Sequence, residues 1–301
     1  MKQEFYSNGK LLLTGEYLVL DGANALALPT KLGQTMKVKS IKEPVIQWES
    51  LDENGLVWFE DCFLIDEITS APLNDQILNN ILLILSEAKK LQPEFLNSKT
   101  GFKVSTKLGF PRDWGLGSSS TFLTNIASWA KIDAFALSKN TFGGSGYDIA
   151  AAQNNKPILY SNAKNSITIL PQYLNWDFKE NLFFIHLNKK QNSREGIAHY
   201  QSKNAGSLLA INKINELTTK IINCKNLVDF EILVQQHEEV ISEVIKTKPI
   251  KEQLFKEFPG AIKSLGAWGG DFILATGEKS KMDYFRNKGY ETIISFNTMV
   301  K

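Results

Sequence analysis

The stretch Phe110–Thr121, FPRDWGLGSSST, constrains this chain more than any other. Gly115 and Gly117 allow a tight bend and a close approach of main chain to a ligand, and Ser118, Ser119 and Ser120 bring hydroxyls and amides to a helix start. That helix is read from Phe122, Leu123, Ile126, Ala127, Trp129 and Ala130, spaced about 3.6 residues per turn, with no acid in the first turn. Unpaired amides and the helix dipole then converge on a place suited to phosphate. A flexible Gly/Ser linker has a similar composition. Against it, Pro111 and Trp114 on one side and the apolar helix on the other leave no gap to span.

The surroundings read as α+β. Leu11 to Leu13 and Tyr17 to Leu20 are expected as strands, with a hairpin turn at Asp21-Gly22. Val45 to Leu64 alternates as half-buried strands do, and Asn74 to Leu91 places Ile77, Leu78, Ile81, Leu82, Leu85 and Ala88 on one helical face. Phe102 to Leu108 is a strand feeding the glycine loop, although GxxxxGK is absent and the loop is no Walker motif. In the second half, Leu182 to Leu187 is a strand, and Ser207 to Ile222 and Leu227 to Ile245 are amphipathic helices. Pro249 to Phe258 reads as a short helix stopped by Pro259-Gly260, followed by a third glycine loop entering a strand, a helix over Lys281 to Lys288 and a strand over Tyr290 to Phe296. A boundary is expected near Ser161 to Trp176, where a polar run precedes Pro171.

Charge excludes some partners. With 34 basic and 32 acidic residues the net charge is +2, which gives no reason to expect nucleic acid or a membrane, so a bound anion must be held by local geometry. Gly15 and Glu16 interrupt the first apolar run too early for a signal peptide or span, and cytoplasm is the expected location. Cys62 and Cys224 lack CxxC spacing and read as buried thiols, while His186, His199 and His237 are too scattered for a metal cluster.

A second glycine run, FGGSGYDIAAAQ from Phe142 to Gln153, presents Asp148. The residue reads either as an N-cap closing a tight turn or as a general base meeting a substrate hydroxyl.

Three glycine loops in order and the opening NGKLLLTGEYLVLDG make the chain resemble the GHMP kinases, which include galactokinase, homoserine kinase, mevalonate kinase and phosphomevalonate kinase. Asn8-Gly9-Lys10 through Gly15-Glu16-Tyr17 is similar to the family's first motif. Pro111, Gly115, Leu116, Gly117, Ser118 and Ser119, with Ser120 at its alanine, resemble the second, and Gly266-Ala267-Trp268-Gly269-Gly270-Asp271 the third. GSGYD, from Gly144 to Asp148, matches the segment that carries the family's catalytic aspartate, and with GYDIA the chain most resembles the mevalonate and phosphomevalonate kinase branch.

The resemblance implies a two-lobed fold: an N-terminal mixed lobe, residues 1–165, with a left-handed βαβ unit and the nucleotide, and a C-terminal ferredoxin-like lobe, residues 166–301, closing over the acceptor. ATP and Mg2+ are the implied cofactors. Gly115, Leu116, Gly117, Ser118, Ser119 and Ser120 would wrap the ATP phosphates, with Ser119 helping to hold magnesium. Asp148 would take or orient the acceptor proton beside Lys10, and Glu16, Gly146, Gly269 and Gly270 would lie near the acceptor. Lys190 and Arg194 would hold its carboxylate or phosphate, unless they form a solvated basic turn.

Two departures stand out. The segment AKIDAFALSKNTF carries no glutamate to match the family's magnesium ligand, and Asp133, its one acid, is unassigned; Trp268 replaces a glycine. The implied activity is transfer of the ATP γ-phosphoryl group to a hydroxyl or phosphate of a small acidic metabolite of the mevalonate pathway of isoprenoid biosynthesis. A diphosphomevalonate decarboxylase-like enzyme or a non-catalytic binding protein of the same fold are the alternatives.

Overall fold

Period-two alternation sends one set of side chains from each strand of the first half into a shared core, and period-3.6 stripes on the following helices cover it. The computed structural model describes residues 2–69, 75–97, 100–163, 166–189, 193–202, 207–268 and 270–301. In chain order its elements begin β1 (Lys2–Leu12), β2 (Ala25–Ile41), β3 (Val45–Leu51), β4 (Val57–Leu64), α1 (Gln76–Leu91), β5 (Gly101–Leu108), α2 (Ser118–Ala130), α3 (Ala134–Asn140) and α4 (Tyr147–Gln153). They continue with β6 (Ile158–Ala163), β7 (Ser166–Pro171), β8 (Leu182–His186), α5 (Ser193–Ser202), α6 (Leu208–Ile222) and α7 (Leu227–Ile245). Last come α8 (Ile250–Leu254), β9 (Ile262–Ser264), β10 (Phe272–Thr276), α9 (Asp283–Arg286), β11 (Ile293–Ser295) and α10 (Phe296–Met299). The chain packs as two compact units, one of residues 1–9, 32–112 and 117–153, the other of residues 10–31, 113–116 and 154–301.

In the first unit the strand order is β4-β3-β5-β2. β3 and β5 are parallel, with Trp48 opposite Val104, and the other neighbours are antiparallel. Met36, Val38, Ile46, Trp48, Phe63 and Val104 face a core completed by Leu85 of α1, Ile126 of α2 and Leu137 of α3. Each fully buried side chain of this kind contributes about 1.5–3 kcal/mol. Asp75 starts α1 by accepting the Ile77 and Leu78 N–H groups at 2.7 and 3.0 Å, and Asp133 does the same for α3 through Phe135. Asp75→Ala is expected to lower stability by about 1 kcal/mol, read as a lower urea midpoint at unchanged m-value.

The second unit holds an antiparallel sheet in the order β11-β8-β10-β9. One of its cores joins Ile185, Phe255, Ile273, Met282 and Phe285. A second joins Tyr17, Leu18, Ile214, Leu217, Ile241 and Trp268. Trp176 is wedged among Phe178, Phe230 and Phe296 and donates its indole N–H to Ile221 O at 3.1 Å. In the same unit β6 pairs with residues Ala25–Ala27 of β2 and with β7. The mixed sheet followed by an antiparallel one makes the fold α+β, as the sequence predicts.

Several expectations are corrected. Leu18–Asp21 is a 3-10 turn rather than a strand, its main chain closing on itself through the Leu20 N–H to Tyr17 O at 2.9 Å. Asp21-Gly22 therefore closes a helical turn, with Gly22 left-handed, and not a hairpin. Cys62 is exposed, since alternation in β4 gives the core to Phe63; Cys224 is buried as expected. The helix expected to end at Phe258 stops at Leu254, and the last strand shrinks to Ile293–Ser295. Among the described residues no helix is long and apolar enough to cross a membrane.

Candidate functional site

The Phe110–Thr121 loop is shared out between the two units, and each half has its own geometry. In the second unit Gly115 takes φ 64°, a left-handed bend that favours glycine, and a Cβ there would press against the Asp271 carboxylate. Lys10 follows the same bend: its N–H donates to Leu116 O at 2.9 Å and its Nζ to Gly115 O at 3.0 Å. Leu116 is fully buried and anchors the bend. The structure thus brings Lys10, Gly115, Leu116 and Asp271 of the third glycine loop together. Trp114 packs edge-on against Phe272, centroids 5.3 Å apart.

In the first unit Gly117, at φ 85°, is the N-cap of α2, and no side chain caps that end. No acid occupies the first turn, so main-chain donors and the dipole favour an anion. The three serines differ. Ser120 is buried and its hydroxyl donates to Gly117 O at 2.9 Å, whereas Ser118 is half-buried and Ser119 exposed. A polar thread fixes this end of the helix: Thr121 donates to Gln34 Oε1 at 2.7 Å, and Asn125 takes the Ser7 hydroxyl at 2.8 Å and donates to Gln34 O at 3.0 Å.

Asp148 is the second residue of α4, half-buried, two residues past Gly146 at φ 89°. It stands inside the first helical turn and not at the N-cap position. Within the first unit α4 packs against α2, so the helix bearing Asp148 and the helix opening with the serines are direct neighbours. Among the described residues no group of three or more His, Cys, Asp or Glu is placed to hold a metal. Magnesium is commonly held by phosphates and water with few protein ligands, and the exposed Ser119 hydroxyl fits that mode.

Glu16, which the resemblance implies lies near the acceptor, belongs to a buried ionic cluster. It is 0 % exposed, with its carboxylate on Lys263 and 3.5 Å from His237 Nε2. His237 is wholly buried and accepts the Gly15 N–H at 3.1 Å, a structural role in keeping with its place on a helix face. Lys263 and Glu238 escaped sequence reasoning; the available signal was a lysine inside the apolar run AIKSL. Trp268 is buried, with φ 49°, and its ring lies 5.7 Å from Lys263 Nζ. Gly270 is buried; Lys190 and Gly269 lie outside the described residues, as does the Arg194 side chain.

No family model and no curated protein sequence matches the chain. Solved structures do. The mevalonate kinase of Methanococcus jannaschii is similar with a TM-score of 0.71 at 17 % identity, over 98 % of this chain and 97 % of its own. The galactokinase of Lactococcus lactis, complexed with galactose, gives 0.70 at 14 % identity, over 98 % and 92 %. The phosphomevalonate kinase of Streptococcus pneumoniae, in complex with phosphomevalonate and AMPPNP, gives 0.69 at 14 % identity, over 97 % and 99 %. The α+β fold described above matches the GHMP kinase fold of these proteins.

Proposed function

We propose that this chain is an ATP-dependent small-molecule kinase of the GHMP type. It would transfer the γ-phosphoryl group to a hydroxyl or phosphate of a small acidic metabolite, with mevalonate and phosphomevalonate the first acceptors to test. The observation that carries the reading is the α2 N-terminus, with no side-chain cap, free of acid and with exposed Ser119 in its first turn, and the Asp148 helix packed beside it. Kinases that share the fold, one of them solved with AMPPNP, support it.

Phosphoryl transfer asks a protein mainly for positioning and charge stabilisation. Main-chain N–H groups after Gly117 would hold phosphate oxygens, and Lys10, fixed on the Gly115 carbonyl, would add positive charge. Asp148 would orient the acceptor hydroxyl and take its proton. Magnesium, held by the nucleotide phosphates and Ser119, would neutralise charge on the transferred group. Nucleotide binding is assigned to residues 1–165 and acceptor binding to 166–301, with Gly146, Gly270 and Gly269 near the acceptor and Lys190 and Arg194 on its acidic group.

The deciding assay incubates the protein with ATP and Mg2+ and, in turn, mevalonate, phosphomevalonate, homoserine and galactose, followed by 31P NMR. ADP formed together with a phosphorylated acceptor is the expected result. Absence of both turnover and AMPPNP binding would refute the proposal, and release of carbon dioxide from diphosphomevalonate would identify a decarboxylase instead. Ser119→Ala is expected to weaken Mg-AMPPNP binding by about ten-fold, the scale of one hydrogen bond to a charged group, in calorimetric titration.

A further inference from the structure

Within the second unit, the turn Thr14–Tyr17 is anchored by an ionic cluster that the proposed reaction does not use. Glu16, His237, Lys263 and Glu238 are 0, 0, 1 and 3 % exposed. Lys263 Nζ contacts Glu16 Oε1, lies 3.0 Å from Glu238 Oε1 and donates to Ser264 O at 2.5 Å. His237 Nε2 accepts the Gly15 N–H, so the ring is neutral there, and burial followed by Lys263 holds its pKa well below the usual histidine range. From α5, Tyr200 stacks on Tyr17 and donates its hydroxyl to Asp21, and from α6 Thr218 donates to Thr14 at 2.9 Å. Two carboxylates therefore share one ammonium. With both ionised, the site keeps an uncompensated negative charge away from water, which is expensive.

The two carboxylates are unequal. Glu238 Oε2 receives the Ser264 hydroxyl at 2.6 Å, and its other oxygen faces Lys263. Glu16 Oε2 has no hydrogen-bond donor among the described residues and only His237 Nε2 at 3.5 Å. A proton relieves the cluster most at that oxygen. Burial, only partly opposed by Lys263, pushes the Glu16 carboxyl up to about 7, and burial also raises Glu238.

What the cluster anchors is under strain. Tyr17 adopts φ 61° and ψ −51°, a region that bulky residues rarely enter. Its hydroxyl donates to Ala267 O at 2.9 Å, and a Cβ on Gly196 would lie 2.5 Å from the Tyr17 hydroxyl oxygen. Tyr17, Gly196, Thr247, Ala267 and Trp268 line a cavity of about 190 Å³. We propose that Glu16 is a positioning residue acting through one exchangeable proton: protonated, it latches the strained Tyr17 turn against the third glycine loop at this cavity; ionised, it loosens that turn. The latch belongs to the turn itself, whatever the chain phosphorylates.

The sign follows from linkage. A carboxyl raised in the folded state stabilises it fully below the unfolded value, and that stabilisation is lost as pH rises through about 7. Hydrogen exchange of peptides covering residues 14–18 and 265–268, corrected for intrinsic rate, is expected to be about ten-fold faster at pH 8 than at pH 6. In Glu16→Gln, which is neutral at every pH, the difference should vanish. An undiminished difference in that variant would overturn the proposal. If the variant does not fold, 13Cδ-glutamate NMR of the unaltered protein decides: a carboxyl titrating between pH 6 and 8 supports the latch, and titration of all glutamates below pH 6 overturns it.

Discussion

Asp148→Asn is expected to lower kcat for phosphoryl transfer by about 10²–10⁴-fold, the range for losing a positioned proton acceptor. The affinity for Mg-AMPPNP should stay within about two-fold of the unaltered protein, because an amide fills the same space and the loss falls on the transition state rather than on nucleotide binding. The residue is half-buried in the first turn of α4, so the substitution creates no cavity and leaves Ile149 and Ala150 in the core. Single-turnover kinetics and calorimetry separate the two quantities. A normal kcat would remove Asp148 from the mechanism, and a matching fall in nucleotide affinity would make it part of the nucleotide site.

Lys263→Met is expected to cost about 3–5 kcal/mol, because two buried carboxylates lose the cation they share. The Met stem preserves most of the packing, so the loss is electrostatic and has a pH signature. Both raised carboxyls take up protons as pH falls, and the penalty should shrink from pH 8 toward pH 5. A triple variant that adds Glu16→Gln and Glu238→Gln should recover much of the stability, since removing every charge avoids the unpaired state. Urea denaturation at two pH values tests both statements, and a pH-independent loss would point to packing.

What was legible in the sequence follows from the range of each signal. The helices α1, α2, α6 and α7 declare themselves through apolar stripes, and each is found within a few residues of its expected limits. β7 was hidden because it is exposed along nearly its whole length and has no buried face to alternate with. Tyr17 to Leu20 misled for the opposite reason: four apolar residues in a row fit a strand or a helical turn equally well. The glycine bends at Gly115 and Gly117 were readable locally, since residue type alone permits their φ values. The Glu16–Lys263 pair was not, because 247 residues separate its members and no local pattern connects them.

The interleaving of the two units along the chain sets a limit on how the protein can be taken apart. A fragment of residues 154–301 would carry Lys263 and Glu238 without Glu16, and the sheet residues of β6 without Ala25–Ala27. No single scissile bond yields a piece with a complete set of neighbours. Ribosomal synthesis therefore releases Lys10–Lys31 long before the segments that will enclose it, and this early stretch must wait, with its apolar residues uncovered, until the C-terminal half emerges.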